Sequence, residues 1–202
     1  MIIILVGRTA SGKTTLAKEL ENRGFERIIT YTTRLKRPGE IDGVDYHFVS
    51  KERFDLMENM GFLAEVTKYE MENGIVYYGS AWSEYIDNIQ FDQRGKPYAY
   101  FQESDKVVVL NPQGVKYMRL NTDLFILANI KVVWIDPGDD ILKIRLAERK
   151  DSEENIRLRF EVEKPDFAMF KREHLYDIKV TDLLPPHELA DYILKEIGYE
   201  QD

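Results

Sequence analysis

The sequence predicts an α/β fold of three layers, a central parallel sheet with helices on both faces. Three observations carry this. Ile2 to Val6 is an unbroken apolar, β-branched run, as a strand covered on both faces requires. A glycine-rich turn follows it, and then Leu16, Ala17 and Leu20 fall at helical spacing among charged residues. Further apolar strands, Val107 to Leu110 and Lys131 to Ile135, recur with a helical segment over Gln113 to Leu120 between them. The 202 residues suit one α/β domain, and 44% hydrophobic with 32% charged residues describes a packed core under a charged surface.

The other elements follow from local signals. Gly24 stands where a C′ glycine ends the first helix. Arg27 to Tyr31 reads as a short strand, and the polar, turn-rich TTRLKRPGEIDGVDYHF after it reads as a functional loop. Ser50 caps a helix through Met60, with Phe54 and Met57 on one side and Gly61 as the stop. Phe62 to Tyr69 and Ile75 to Tyr78 form an antiparallel pair across Asn73-Gly74, a dipeptide that tolerates positive φ. Ser83 to Arg94 is expected as a helix with Tyr85, Ile86 and Ile89 on one face and Gly95 closing it. From Asp139 to about Phe170 the chain is mainly helical, Ile178 to Val180 makes the last strand, and a helix runs from Pro186 to near Gly198. Leu189, Ile193, Leu194 and Ile197 give that helix one apolar stripe. No internal repeat or linker interrupts the chain.

Composition excludes several classes of function. With 28 Lys and Arg against 36 Asp and Glu, the net charge of -8 disfavours nucleic acid or an anionic membrane as a general partner. The absence of cysteine removes disulfides, thiol nucleophiles and Cys-ligated zinc, and suits a reducing, cytoplasmic setting. His47, His174 and His187 are scattered without metal-ligand spacing. The six apolar residues from Met1 lack a basic flank and run directly into Gly7, which fits a buried strand rather than a signal peptide.

Gly7 to Thr14 spells Gly-x-x-x-x-Gly-Lys-Thr between a strand and a helix, the context a phosphate loop needs. Glycines let successive amides turn inward on phosphate oxygens, and the helix N-terminus adds partial positive charge. Gly7, Ser11, Gly12, Lys13, Thr14 and Thr15 are therefore the candidate residues for a nucleoside triphosphate, with Lys13 reaching the outer phosphates and Thr14 offering a hydroxyl to Mg²⁺. Arg34 and Arg37 place two guanidinium groups in one loop, a planar fork suited to a phosphate monoester, with the hydroxyls of Tyr46, Tyr78 and Ser80 available after folding. Glu65 stands between apolar neighbours in an expected strand, either on a solvent face or as a buried recogniser. Arg145 and Arg149 share a helix face, and Arg159 follows across KDSEEN, a pattern that a solvated charged helix also explains.

TTRLKRPGEIDGVDYHFVS, then FLAEV and YYGS, resembles the guanylate kinase family, and with the phosphate loop the likeness spans most of the chain. The resemblance implies a P-loop NTPase-type core at about 1–33, 91–136 and 161–202, within a single domain over 1–202. It also implies an inserted small, mixed or antiparallel nucleoside-monophosphate-binding subdomain at about 34–90 and a helical lid at about 137–160. It further implies ATP-dependent, Mg²⁺-assisted phosphorylation of GMP or dGMP, with hinged closure. On this pattern Arg34, Arg37, Tyr46 and Tyr78 would hold the GMP phosphate, Thr30, Glu65 and Ser80 would meet the base, and Glu40 and Asn111 would also belong to the GMP site. Lys13, Arg145, Arg149 and Arg159 would be the catalytic cations. Two alternatives stand beside this reading: a P-loop kinase for another small phosphate acceptor, and a non-catalytic binding module of the same fold. The sequence departs from the family at Val109 and Asn111, where it usually carries an Asp-x-Asp pair, and at YEMEN, which lengthens the hairpin between Glu65 and Tyr78. The phosphate loop carries Arg8-Thr9-Ala10-Ser11 where the family favours Pro-Ser-Gly.

Overall fold

A computed structural model of the chain describes residues 1–71, 74–91, 97–101, 104–121, 129–148, 153–181 and 184–199. Its central sheet contains β1 (Ile2–Gly7), β2 (Glu26–Arg27), β9 (Lys106–Val109), β10 (Ile130–Ile135) and β11 (Ile178–Val180) in the order β11-β10-β1-β9-β2. Every pairing is parallel. The chain leaves β1 for the β2 edge, returns to β9, and then crosses β1 to reach β10 and β11. The loop after β1 therefore lies at the point where strand order reverses, the place at which open α/β sheets bind ligands.

Alternation along β1 supplies both halves of the core. Ile2, Ile4 and Val6 pack with Val108, Val132 and Trp134 under α3 (Pro112–Asn121) and α5 (Glu153–Arg172), which contribute Val115, Met118, Phe167 and Phe170. Ile3 and Leu5 face the other way, onto Leu16, Ala17 and Leu20 of α1 (Lys13–Glu21) and Leu189, Ala190 and Ile193 of α6 (Pro186–Glu196). Because β1 is apolar on both faces, it is pinned from both sides and holds the phosphate loop at a fixed height.

A second sheet holds β3 (Tyr31–Thr32), β4 (His47–Phe48), β5 (Leu63–Met71) and β6 (Gly74–Ala81) in the order β4-β3-β6-β5. The β3–β4 pairing is parallel and the other two are antiparallel. α2 (Lys51–Asn59) covers one side, with Phe54 packed on Leu63 and Tyr77, and its N-cap Ser50 accepts a hydrogen bond from the Arg53 backbone as the sequence predicts. The register pairs Glu65 with Ser80 and Thr67 with Tyr78, so these four side chains share one face.

Three sequence expectations are corrected. The run Arg27 to Tyr31 is not one strand: Glu26–Arg27 joins the central sheet and Tyr31–Thr32 the second, as the chain crosses between them. His47–Phe48, expected within a loop, pairs with β3. The helix expected over Ser83 to Arg94 is absent where the chain is described: a 3₁₀ turn at Trp82–Glu84 leads into β7 (Ile86–Phe91), antiparallel to β8 (Pro97–Phe101). Tyr98, Tyr100 and Phe101 are strong strand formers, and pairing with them overrides the weak helical period. Residues 92–94 of that expected helix and Gly95 lie outside the described residues.

Candidate active site

The phosphate loop is shaped by contacts that only small residues permit. A Cβ at Gly7 would lie 2.5 Å from Ser11 Oγ and 2.6 Å from the Ile135 carbonyl oxygen. Gly12 takes φ +104 as it opens α1, a conformation strained for any side chain. Lys13 folds back over the loop, its Nζ donating to the carbonyl oxygens of Gly7 at 2.6 Å and Arg8 at 2.8 Å. Ser11 is buried, whereas Thr14 and Thr15 are exposed on the first turn of α1.

Residues far along the chain converge on this loop. Arg145 of α4 (Asp139–Glu148) donates from Nη1 to the carbonyl oxygens of Ala10 at 3.2 Å and Ser11 at 3.0 Å. Arg8 pairs with Asp136 at 3.2 Å and Asp139 at 2.7 Å, and its guanidinium lies over the Phe160 ring. Glu163 of α5 accepts hydrogen bonds from the Thr9 backbone N–H, at 3.0 Å, and from the Thr9 hydroxyl. Sequence reasoning missed Glu163, Asp136 and Asp139; the unusual Arg8-Thr9 in the loop is the signal that polar partners would be needed. Arg149 lies outside the described residues, and Arg159 is placed only as part of the α5 backbone.

On the second sheet, Arg34 forms a two-pronged pair with Glu40, Nη1 to Oε2 at 2.9 Å and Nη2 to Oε1 at 2.8 Å. Glu40 also accepts from the Arg37 backbone N–H at 2.8 Å, so one carboxylate orders both arginine positions. Burial pushes the Glu40 carboxyl up, but Arg34 and the Arg37 N–H outweigh it and hold it below its ordinary value. Arg34 lies against the rings of Tyr46 and Phe48, and Tyr46 meets Tyr78 edge-on at 6.1 Å. Arg34, Arg37, Glu40, Tyr46 and Tyr78 thus lie in one cluster.

Glu65 is 2% exposed, which settles the choice the sequence left open in favour of a buried carboxyl. Oε1 accepts from Ser80 Oγ at 3.1 Å, while Oε2 is buried with no hydrogen-bond partner among the described residues. Burial pushes its pKa up to about 8, against the lowering effect of the Ser80 and Thr67 hydroxyls. Asn111, immediately before α3, accepts from the Gly114 N–H at 2.7 Å and from the Thr67 hydroxyl at 3.0 Å through the same Oδ1. Its oxygen is therefore committed to the start of the helix, and its amide nitrogen is the remaining donor. Thr30 is buried where the chain passes between the sheets, its carbonyl accepting from His47 N.

Among the described residues, no group of three or more His, Cys, Asp or Glu side chains could hold a metal ion. Thr14 is exposed at the start of α1, where its hydroxyl could take part in holding an ion. No helix among the described residues is long and apolar enough to cross a membrane.

A parallel-sheet α/β core with a phosphate loop at its switch point defines the P-loop nucleotide-binding class. A family model described as guanylate kinase matches residues 1–182, and the chain belongs to the guanylate kinase family. A guanylate kinase of Streptococcus pneumoniae is 30% identical over 196 residues, which cover 92% of this chain and 81% of that one. One from Lactiplantibacillus plantarum is 42% identical over 83 residues, 40% of this chain and 38% of that protein's length. A crystal structure of guanylate kinase from Anaplasma phagocytophilum aligns over 98% of this chain and 84% of its own, at 20% identity and a TM-score of 0.65, a likeness of fold.

Proposed function

We propose that the protein transfers the γ-phosphoryl group of ATP to GMP or dGMP in one in-line step, giving the diphosphate. The observation that carries this reading is Glu65: a buried carboxyl with an unpartnered Oε2, beside the Ser80 hydroxyl and on the same sheet face as Tyr78. Guanine offers N1–H and N2–H donors that favour the ionised carboxylate and adenine does not, so a mismatched base leaves Glu65 without the partners that its ionised form needs.

In this reading Gly7, Ser11, Gly12, Lys13, Thr14 and Thr15 hold the donor phosphates, with Lys13 exchanging the loop carbonyls of Gly7 and Arg8 for phosphate oxygens. Arg34, Arg37, Tyr46 and Tyr78 hold the acceptor phosphate, with Glu40 ordering the two arginine positions, and Thr30, Glu65, Ser80 and Asn111 line the base pocket. Thr14 would hold Mg²⁺ together with the nucleotide, and the ion would supply charge neutralisation at the donor phosphates. Arg145, with Arg149 and Arg159, stabilises charge on the migrating group, and closure of the lid at about 137–160 over the subdomain at about 34–90 excludes water. No covalent enzyme intermediate is needed. A cytoplasmic setting suits such substrates.

A second reading, a kinase for another small phosphate acceptor, is favoured by Asn111, whose oxygen is already engaged by Thr67 and Gly114 and so is not offered to a 2-amino group. Steady-state transfer from Mg·ATP to GMP, dGMP, AMP, CMP, UMP and dTMP decides between them. Selective turnover of GMP or dGMP, lost in Lys13→Ala, is expected. No turnover of any of the six acceptors overturns the proposal.

A further inference from the structure

We infer that Tyr85 is a positioning residue for base recognition, aiming the Ser80 hydroxyl proton at Glu65 so that Glu65 Oε2 is the atom presented to the acceptor base. This rests on the reading of Glu65 as the base recogniser and adds a residue to it. Tyr85 lies just beyond β6, immediately after the 3₁₀ turn, and is 1% exposed, one of the largest fully buried side chains. Its hydroxyl donates to Ser80 Oγ at 2.8 Å, and Ser80 Oγ donates to Glu65 Oε1 at 3.1 Å.

The logic is that of hydrogen-bond inventory. A serine hydroxyl has one proton and two lone pairs, and its proton turns to suit its surroundings. With Tyr85 donating into one lone pair, the Ser80 proton is directed away from Tyr85 and onto Glu65. Glu65 Oε1 is thereby fixed as an acceptor and favoured in its ionised form, leaving Oε2 for the ligand. The groups acting on Glu65 are hydroxyls: Ser80 on β6 and Thr67 on its own strand. Gly114 of α3 closes the pocket beside Oε2. The other charge acting on Tyr85 besides Glu65 is Glu84 on the preceding turn. Burial, chiefly, keeps Tyr85 protonated and so a permanent donor.

Tyr85→Phe retains the ring and its burial and removes only the donor. Two readouts test the proposal. In the ligand-free protein, the Glu65 carboxyl, followed by its ¹³C chemical shift against pH, should titrate roughly half a unit to one unit higher in Tyr85→Phe than in the unsubstituted chain. In transfer assays, kcat/KM for GMP should fall about tenfold, mostly through KM, while kcat/KM for IMP, which lacks the 2-amino group, changes less. In a Ser80→Ala background the same change should add almost nothing, because Tyr85 acts through Ser80. An unshifted Glu65 titration, or an equal effect with and without Ser80, overturns the role of Tyr85. If the unsubstituted protein does not phosphorylate GMP, the reading of the site fails by itself, and the titration still decides whether the relay operates.

Discussion

Gly114 gives Glu65 its room: a Cβ at position 114 would lie 2.8 Å from Glu65 Oε2 and 3.3 Å from its carboxyl carbon. The start of α3 therefore forms the wall against which the unpartnered oxygen sits. Gly114→Ala must push the carboxyl or the helix aside. We expect kcat/KM for GMP to fall at least about tenfold with ATP affinity unchanged, and stability in urea to drop by about 1–3 kcal/mol from overpacking. Unchanged GMP kinetics would show that Oε2 is not the atom that meets the base.

Glu65 also sets a pH dependence with a definite sign. Its pKa in the ligand-free fold is raised from 4.5 to about 8. Between those values the folded state carries a proton that the unfolded chain has lost, so stability from this group falls as pH rises through that window and levels off above it. Guanine requires the ionised form, so GMP binding below about pH 8 must release a proton. Calorimetry in buffers of different ionisation enthalpy should report close to one proton released near pH 7, and Glu65→Gln should abolish both this release and the stability slope. Buffer-independent heats in the unsubstituted protein would contradict the assignment.

Arg145 reaches the phosphate loop from α4 and touches two of its carbonyl oxygens. In that position it can exchange carbonyls for phosphate oxygens once a triphosphate is seated. Arg145→Ala should lower kcat about 10²–10³-fold while leaving KM for GMP within a few-fold, and Arg145→Lys should recover little because a point charge lacks the planar fork. Single-turnover rates measure this directly; a pure KM effect would place Arg145 in binding alone.

Strong local chemistry made most of this legible. The β-branched run Ile2 to Val6 followed by Gly-x-x-x-x-Gly-Lys-Thr specifies strand, loop and helix at once, and the structure places all three as expected. Glu65 could not be assigned from its own strand, because one acidic residue among apolar neighbours fits either face; burial came from Ser80 on β6 and Gly114 on α3, both distant in sequence. Tyr85 carries a helical signal in the sequence because Ile86 and Ile89 mimic a helical period, while the strand that pairs with β7 lies beyond that stretch. Glu163 was invisible because its partner, Thr9, is 154 residues away.

Asn111 is the clearest departure from the family pattern, and its geometry gives a test. Its Oδ1 holds both the Gly114 N–H and the Thr67 hydroxyl. The Gly114 amide can only donate, so the oxygen, not the nitrogen, must face it. Asn111→Asp keeps that cap, since Asp and Asn serve equally well at the start of a helix, so any loss of stability should come from the new carboxylate beside Glu65 and shrink as pH falls. What changes is the second arm, from an amide donor to a carboxylate acceptor near the base pocket. If the 2-amino group of guanine approaches this arm, the ratio of kcat/KM for GMP over IMP should rise about tenfold. Asn111→Ala should instead lose about 1 kcal/mol of stability through the missing cap and free the Thr67 hydroxyl. A GMP to IMP ratio that is the same in all three proteins would remove Asn111 from base recognition and leave it a helix cap.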